Sequence, residues 1–203
     1  MQVRCRPALA ADPLQQVGFP SPAPRLPEID GVVLIAAPGR NGRDVTLDAQ
    51  RRLLVRLTLP DADKAARVAL QTRIIDATLT GKGWDGIPDD VRRQSDTLWF
   101  RNWLQFDPAD VIEKLQQPLL IIQGALDTET ASSAVDTLAS LSAARKKQPA
   151  SDTSKVVVPG VNHLLVRATT GDIDEYASLP SRTIAPGVVD AIAGWLDRTL
   201  PAK

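Results

Sequence analysis

Three short, nearly unbroken apolar runs constrain the fold of this 203-residue chain more than any other feature. They lie at Val32–Ala37, within Leu119–Gln123 and within Lys155–Val158. Gly31 and Pro38-Gly39 bound the first, and glycines also follow the other two. A strand that faces water on one side alternates apolar and polar residues, whereas the unbroken run Val32–Ala37 predicts a strand covered on both faces, as in parallel sheets. Between and after these runs the apolar spacing is helical, and strand–helix alternation of this kind predicts a doubly wound parallel sheet.

The helices fall mostly between the first two strands. One is predicted over Asp44–Leu57, with Val45, Leu53, Leu54 and Leu57 apolar. A second starts at Asp61 as N-cap and runs to Leu79, where Gly81 and Gly83 stop it. A third carries Leu98, Trp99, Trp103 and Phe106 at helical spacing, either as core packing or as a wall facing substrate. Asp107-Pro108 opens a short helix, with Asp as cap and Pro at the first helical position. Further helices are expected over 131–146, with Ala134, Leu138 and Leu141 on one stripe, and over Pro186–Leu200, with Val189, Ile192, Leu196 and Leu200 inward. Residues 1–30 stand apart: they hold six of the sixteen prolines and are expected to be irregular.

Two side chains stand just past the second and third strands: Asp127, in Gln123-Gly124-Ala125-Leu126-Asp127, and His163, in Pro159-Gly160-Val161-Asn162-His163. Open α/β sheets present their chemistry at such strand ends. Imidazole takes up a proton near neutral pH, and a carboxylate on its other nitrogen fixes the tautomer that can act as base. Taken singly, His163 also reads as a structural histidine and Asp127 as a turn or cap residue. Glu129, Asp172, Asp174 and Glu175 read as a solvated acidic rim, and Arg145-Lys146-Lys147 as a positive helix C-terminus. Arg101 reads as a surface residue or as a holder of a substrate carboxylate.

Composition excludes several classes. Twenty-four basic residues balance twenty-four acidic ones, so no overall field favours nucleic acid or an anionic membrane. The apolar runs are far shorter than the roughly 20 residues of a membrane-spanning helix, and the basic start lacks the apolar stretch of a secretory signal. A cytoplasmic location is therefore expected. One histidine and one cysteine, Cys5, do not make a usual zinc site or an internal disulfide, and no cofactor is expected. Glycine-rich nucleotide-binding motifs are absent from the sequence.

The order strand, helical insertion, strand-Gly-x-x-Asp, helix, strand-Gly-x-x-His, helix resembles the C-terminal half of an α/β-hydrolase over about residues 28–200. Trp99-Phe100-Arg101, Gln123-Gly124 and Thr170-Gly171-Asp172 make it most similar to serine hydrolases of the dienelactone-hydrolase or serine-aminopeptidase type. The resemblance implies a core over 31–39 and 111–203, a helical cap over 40–110, Asp127 and His163 as triad acid and base, and a small-molecule ester, lactone or peptide-like substrate. Trp99, Arg101 and Trp103 are then substrate-binding candidates.

The family's nucleophile stands in Gly-x-Ser-x-Gly ahead of the Val32–Ala37 strand, and that motif occurs nowhere here. Ser21 is too close, since a parallel crossover needs a dozen or more residues and Pro22, Pro24 and Pro27 forbid its helix. Cys5 is flanked by Val3 and Pro7 where such a turn needs small residues. The expectation is a truncated or mis-started hydrolase, inactive alone, with residues 1–30 foreign. The alternative is a non-catalytic relative that binds a small apolar ligand or a partner protein. Truncation would leave Val32–Ala37 exposing an apolar edge, through which the chain is then expected to self-associate.

Overall fold

The computed structural model describes residues 29–145 and 152–200. Cys5, Ser21, Lys146, Lys147 and all but the last two residues of the 1–30 segment lie outside them. The described chain contains β1 (Val32–Ile35), α1 (Gly42–Val55), α2 (Asp61–Thr80), α3 (Asp89–Ser95), α4 (Leu98–Gln105), α5 (Pro108–Ile112), β2 (Leu119–Gly124), α6 (Ala134–Ala143), β3 (Thr153–Val158), a 3-10 turn (Ile173–Ser178) and α7 (Pro186–Thr199). It divides into a helical unit over Gly42–Phe106 and a mixed α/β unit made of the residues around it.

In the α/β unit the three strands are parallel in the order β1-β2-β3, with Val32 opposite Leu119 and Ile122 opposite Val156. Alternate side chains feed two cores. Val32, Leu34, Leu119 and Ile121 meet Ile112 of α5, Leu115 just after it, and Val135 and Leu138 of α6 on one face. Val33, Ile122, Val156 and Val158 meet Val161, Ala185, Val188 and Ile192 on the other, with α7. The burial on both faces expected of Val32–Ala37 is not found: β1 lies at an edge of the sheet and its residues are part-buried or exposed, whereas all six residues of the central β2 are buried. β1 and β3 are edge strands among the described residues, which leaves Ile35 45% and Val157 51% exposed.

Two helix boundaries follow their local chemistry closely. Asp107 caps α5 by accepting the Ala109 N–H, with Pro108 at the first position. Gly81 ends α2 in the left-handed conformation at φ 72°, its N–H donating to the Ala77 carbonyl. Asp61 does not cap α2: Pro60 holds that place and Asp61 is the first helical residue, where its charge still favours the helix dipole.

The inward face of α7 differs from expectation. Val188 and Trp195 are buried, whereas Val189, Leu196 and Leu200 are exposed. Two adjacent stripes of this helix are apolar, so periodicity alone does not choose between them. Seating Trp195 removes more apolar surface from water than seating Leu196, and the helix turns accordingly. Arg145 is also more than a positive helix end. It is buried, and its guanidinium donates to the carbonyls of Ser142 and Gln117 and to the Thr153 hydroxyl, joining α6 to the starts of β2 and β3.

The helical unit has its own core of Ile74, Ala77, Trp84 and Ile87, with Val91 and Phe100 packed against it. Among the described residues no helix is long and apolar enough to cross a membrane.

Candidate active site

Two strand ends build the site. β2 finishes at Gly124, where an added Cβ would lie 2.2 Å from the Val161 carbonyl oxygen. Glycine thus lets the loop after β2 run backbone against backbone with the loop after β3. The Ala125 N–H donates to the Val158 carbonyl at 2.9 Å and the Leu126 N–H to the Val161 carbonyl at 2.8 Å. This lacing delivers the next side chain, Asp127, to the residue that follows Val161 and Asn162.

The Asp127 carboxylate is fully buried and accepts from three sides. Oδ1 takes the N–H groups of Glu129 at 3.0 Å and Thr130 at 2.8 Å, an Asx turn that fixes the side chain. Oδ2 lies 3.0 Å from Nδ1 of His163. On the other strand, Gly160 at φ 67° turns the chain, the Asn162 N–H donates to the Val166 carbonyl, and the Asn162 Oδ1 accepts the Val166 N–H. His163 stands at the head of this tight loop with its ring 30% exposed.

An ionised carboxylate only accepts, so Nδ1 must donate and the neutral ring carries its lone pair on Nε2. Among the described residues Nε2 has no hydrogen-bond partner. The hydrogen bond to Asp127 raises the proton affinity of His163 above its ordinary value. Partial burial opposes that shift, while the charges of Asp127 and Glu129 add to it. The arrangement is that of a base with an oriented, charge-stabilised imidazole.

Around this pair the structure uses acidic residues that the sequence suggested were a solvated rim. Glu129 Oε1 accepts the Tyr176 hydroxyl at 2.6 Å. The Glu175 carboxylate accepts the N–H groups of Thr169, Thr170 and Gly171 and the Thr170 hydroxyl, which hold its pKa down at about 2. Asp172 and Asp174 also have partners. Thr130 was not legible as a site residue. Its hydroxyl donates to the Ala36 carbonyl at 3.0 Å, and its own carbonyl accepts from the Gln123 amide at 3.0 Å, so it ties the acid loop to both β1 and β2.

The remaining candidates sit in α4 of the helical unit. Arg101 Nε donates to the Thr78 carbonyl at 2.8 Å and Nη2 to Asp96 at 3.4 Å. Trp103 Nε1 donates to the Thr46 hydroxyl at 3.0 Å. Trp99 stacks beside Phe100 and is 41% exposed. Arg101 and Trp103 thus brace their own unit. Among the described residues no group of three His, Cys, Asp or Glu side chains is placed to hold a metal. In comparison with known proteins, no family model matches the chain and no curated protein is significantly similar to it.

Proposed function

We propose that this chain carries the acid and base of a serine-hydrolase-type triad, in an α/β-hydrolase-like core, for an ester, lactone or peptide-like carbonyl. The observation that carries this is the 3.0 Å contact between Asp127 Oδ2 and His163 Nδ1 at the carboxyl ends of two neighbouring parallel strands. Asp127 holds the ring and stabilises the imidazolium. His163 Nε2 takes the proton of an attacking hydroxyl and later returns it to the leaving group. Residues 40–110, inserted in the chain between β1 and β2, occupy the sequence position that the cap takes in such an enzyme.

The sequence holds no Gly-x-Ser-x-Gly, and on this reading the chain alone turns over negligibly, because loss of a triad nucleophile costs about 10⁶ in kcat. The test starts from the coding DNA upstream of Met1, read in all frames. A Gly-x-Ser-x-Gly found there is joined to the chain, and hydrolysis of a p-nitrophenyl ester is compared with that of the His163→Ala form. Turnover that disappears with His163 supports the assignment. Turnover by the joined protein that is indifferent to His163 and Asp127 overturns it.

A further inference from the structure

A second carboxylate stands beside the acid–base pair, and the structure restrains it from both sides. Thr169, Thr170 and Gly171 wrap their N–H groups around the Glu175 carboxylate at 2.7, 2.9 and 2.8 Å, closing the turn that carries the next residue, Tyr176. The Tyr176 hydroxyl donates to Glu129 Oε1 at 2.6 Å, and the Gly171 carbonyl accepts the Thr128 hydroxyl at 3.0 Å. The backbone N–H of Glu129 is itself committed to Asp127 Oδ1. Three consecutive residues, 127, 128 and 129, are thereby tied to groups around them, and only the last brings a new charge.

We propose that Glu129, its carboxylate held by the Tyr176 hydroxyl and its N–H bound to Asp127 Oδ1, is a positioning residue for the Asp127–His163 pair. The charged groups acting on the imidazole are Asp127 and Glu129, both from the loop after β2. Tyr176, on the turn packed against that loop, faces Glu129. Burial and the Glu129 and Asp127 charges raise its own pKa, so it stays a donor at ordinary pH. Glu175 is occupied by the 169–171 backbone, and Asp172 and Asp174, on the same segment, have partners of their own. A carboxylate accepting a phenol hydrogen bond loses freedom to swing into solvent, so its field at the ring is constant rather than averaged away.

The catalytic meaning of this pair rests on the triad assignment above, but its test needs no turnover. The chain has one histidine, so the imidazole proton resonances of untagged protein report the His163 titration without overlap. Glu129→Gln, which still accepts from Tyr176, lowers the titration midpoint. Tyr176→Phe lowers it in the same direction, and the double variant falls no further than Glu129→Gln alone. Glu129→Asp keeps the charge and recovers most of the shift, which distinguishes a field effect from a folding defect when melting temperatures are measured alongside. A midpoint unmoved in Glu129→Gln, or shifts in the two single variants that add in full, overturns the proposal. Hydrolysis that proves independent of His163 while these shifts appear overturns the triad assignment alone.

Discussion

Asp127→Asn tests whether the buried carboxylate dictates which nitrogen of His163 carries the proton. In the native site Oδ1 takes two backbone N–H groups, at 3.0 and 2.8 Å, and Oδ2 takes the ring Nδ1–H. Asparagine satisfies the two backbone donors only by placing its carbonyl oxygen there, which turns its NH₂ toward His163. Nδ1 must then accept, and the neutral ring switches to the Nε2–H tautomer, which cannot act as a base from that nitrogen. Each of three bonds to an ionised acceptor becomes a neutral one. A charged bond contributes about 1.5–3 kcal/mol and a neutral one about 0.5–1.5, a loss of about 3 kcal/mol in all. Relief of the buried carboxylate's desolvation opposes that loss, so about 3 kcal/mol, or about 6–12 °C in a chain of this size, is the upper bound of the destabilisation. Nitrogen-15 correlation spectra of the lone imidazole, taken well above its titration midpoint, identify the protonated nitrogen, and a thermal melt gives the stability. Retention of the Nδ1–H tautomer in Asp127→Asn would show that the carboxylate does not set the ring's state.

Gly171→Ala is expected to cost about 3 kcal/mol or more in a denaturant melt, because the residue sits at φ 77° and its new Cβ would lie 1.8 Å from the Leu126 carbonyl oxygen. Unchanged stability would mean that the two backbones are not in contact there. Since the His163 pKa is raised on folding, its stabilising effect is complete below pH 6.5 and is lost as pH climbs through the folded-state value. His163→Ala should remove that alkaline-side decline and leave the acid limb intact. Glu175, ordinarily near 4.5, is held at about 2, so its effect is present above 4.5 and disappears as pH falls through 2. Acid melts of Glu175→Gln should show a shallower decline over that window, and a profile identical to wild type would contradict the bonding described.

The legible parts were those governed by local rules. Unbroken apolarity located β2, glycine in the left-handed conformation located the end of α2, and Asp-Pro located the start of α5. The Asp127–His163 pair was legible because the loops just beyond neighbouring parallel strands converge in space, a consequence of sheet geometry rather than of either side chain. What escaped depended on long-range complementarity. The choice between two apolar stripes on α7 was made by the volume of Trp195, and the burial of Arg145 by carbonyls about thirty positions away in the chain. Glu129 and Glu175 look like any solvated acids until the hydroxyl and amide groups that meet them are brought round by the 169–178 segment.

The backbone crossing at Gly124 and Val161 leaves no side-chain layer to absorb error between the strand that delivers the acid and the loop that delivers the base. Register is therefore transmitted rigidly: a one-residue insertion between 124 and 127, or between 160 and 163, carries its full displacement to the carboxylate or the ring. Insertions that spare this chemistry are accordingly expected outside these two loops, and directed diversification of the protein should begin there.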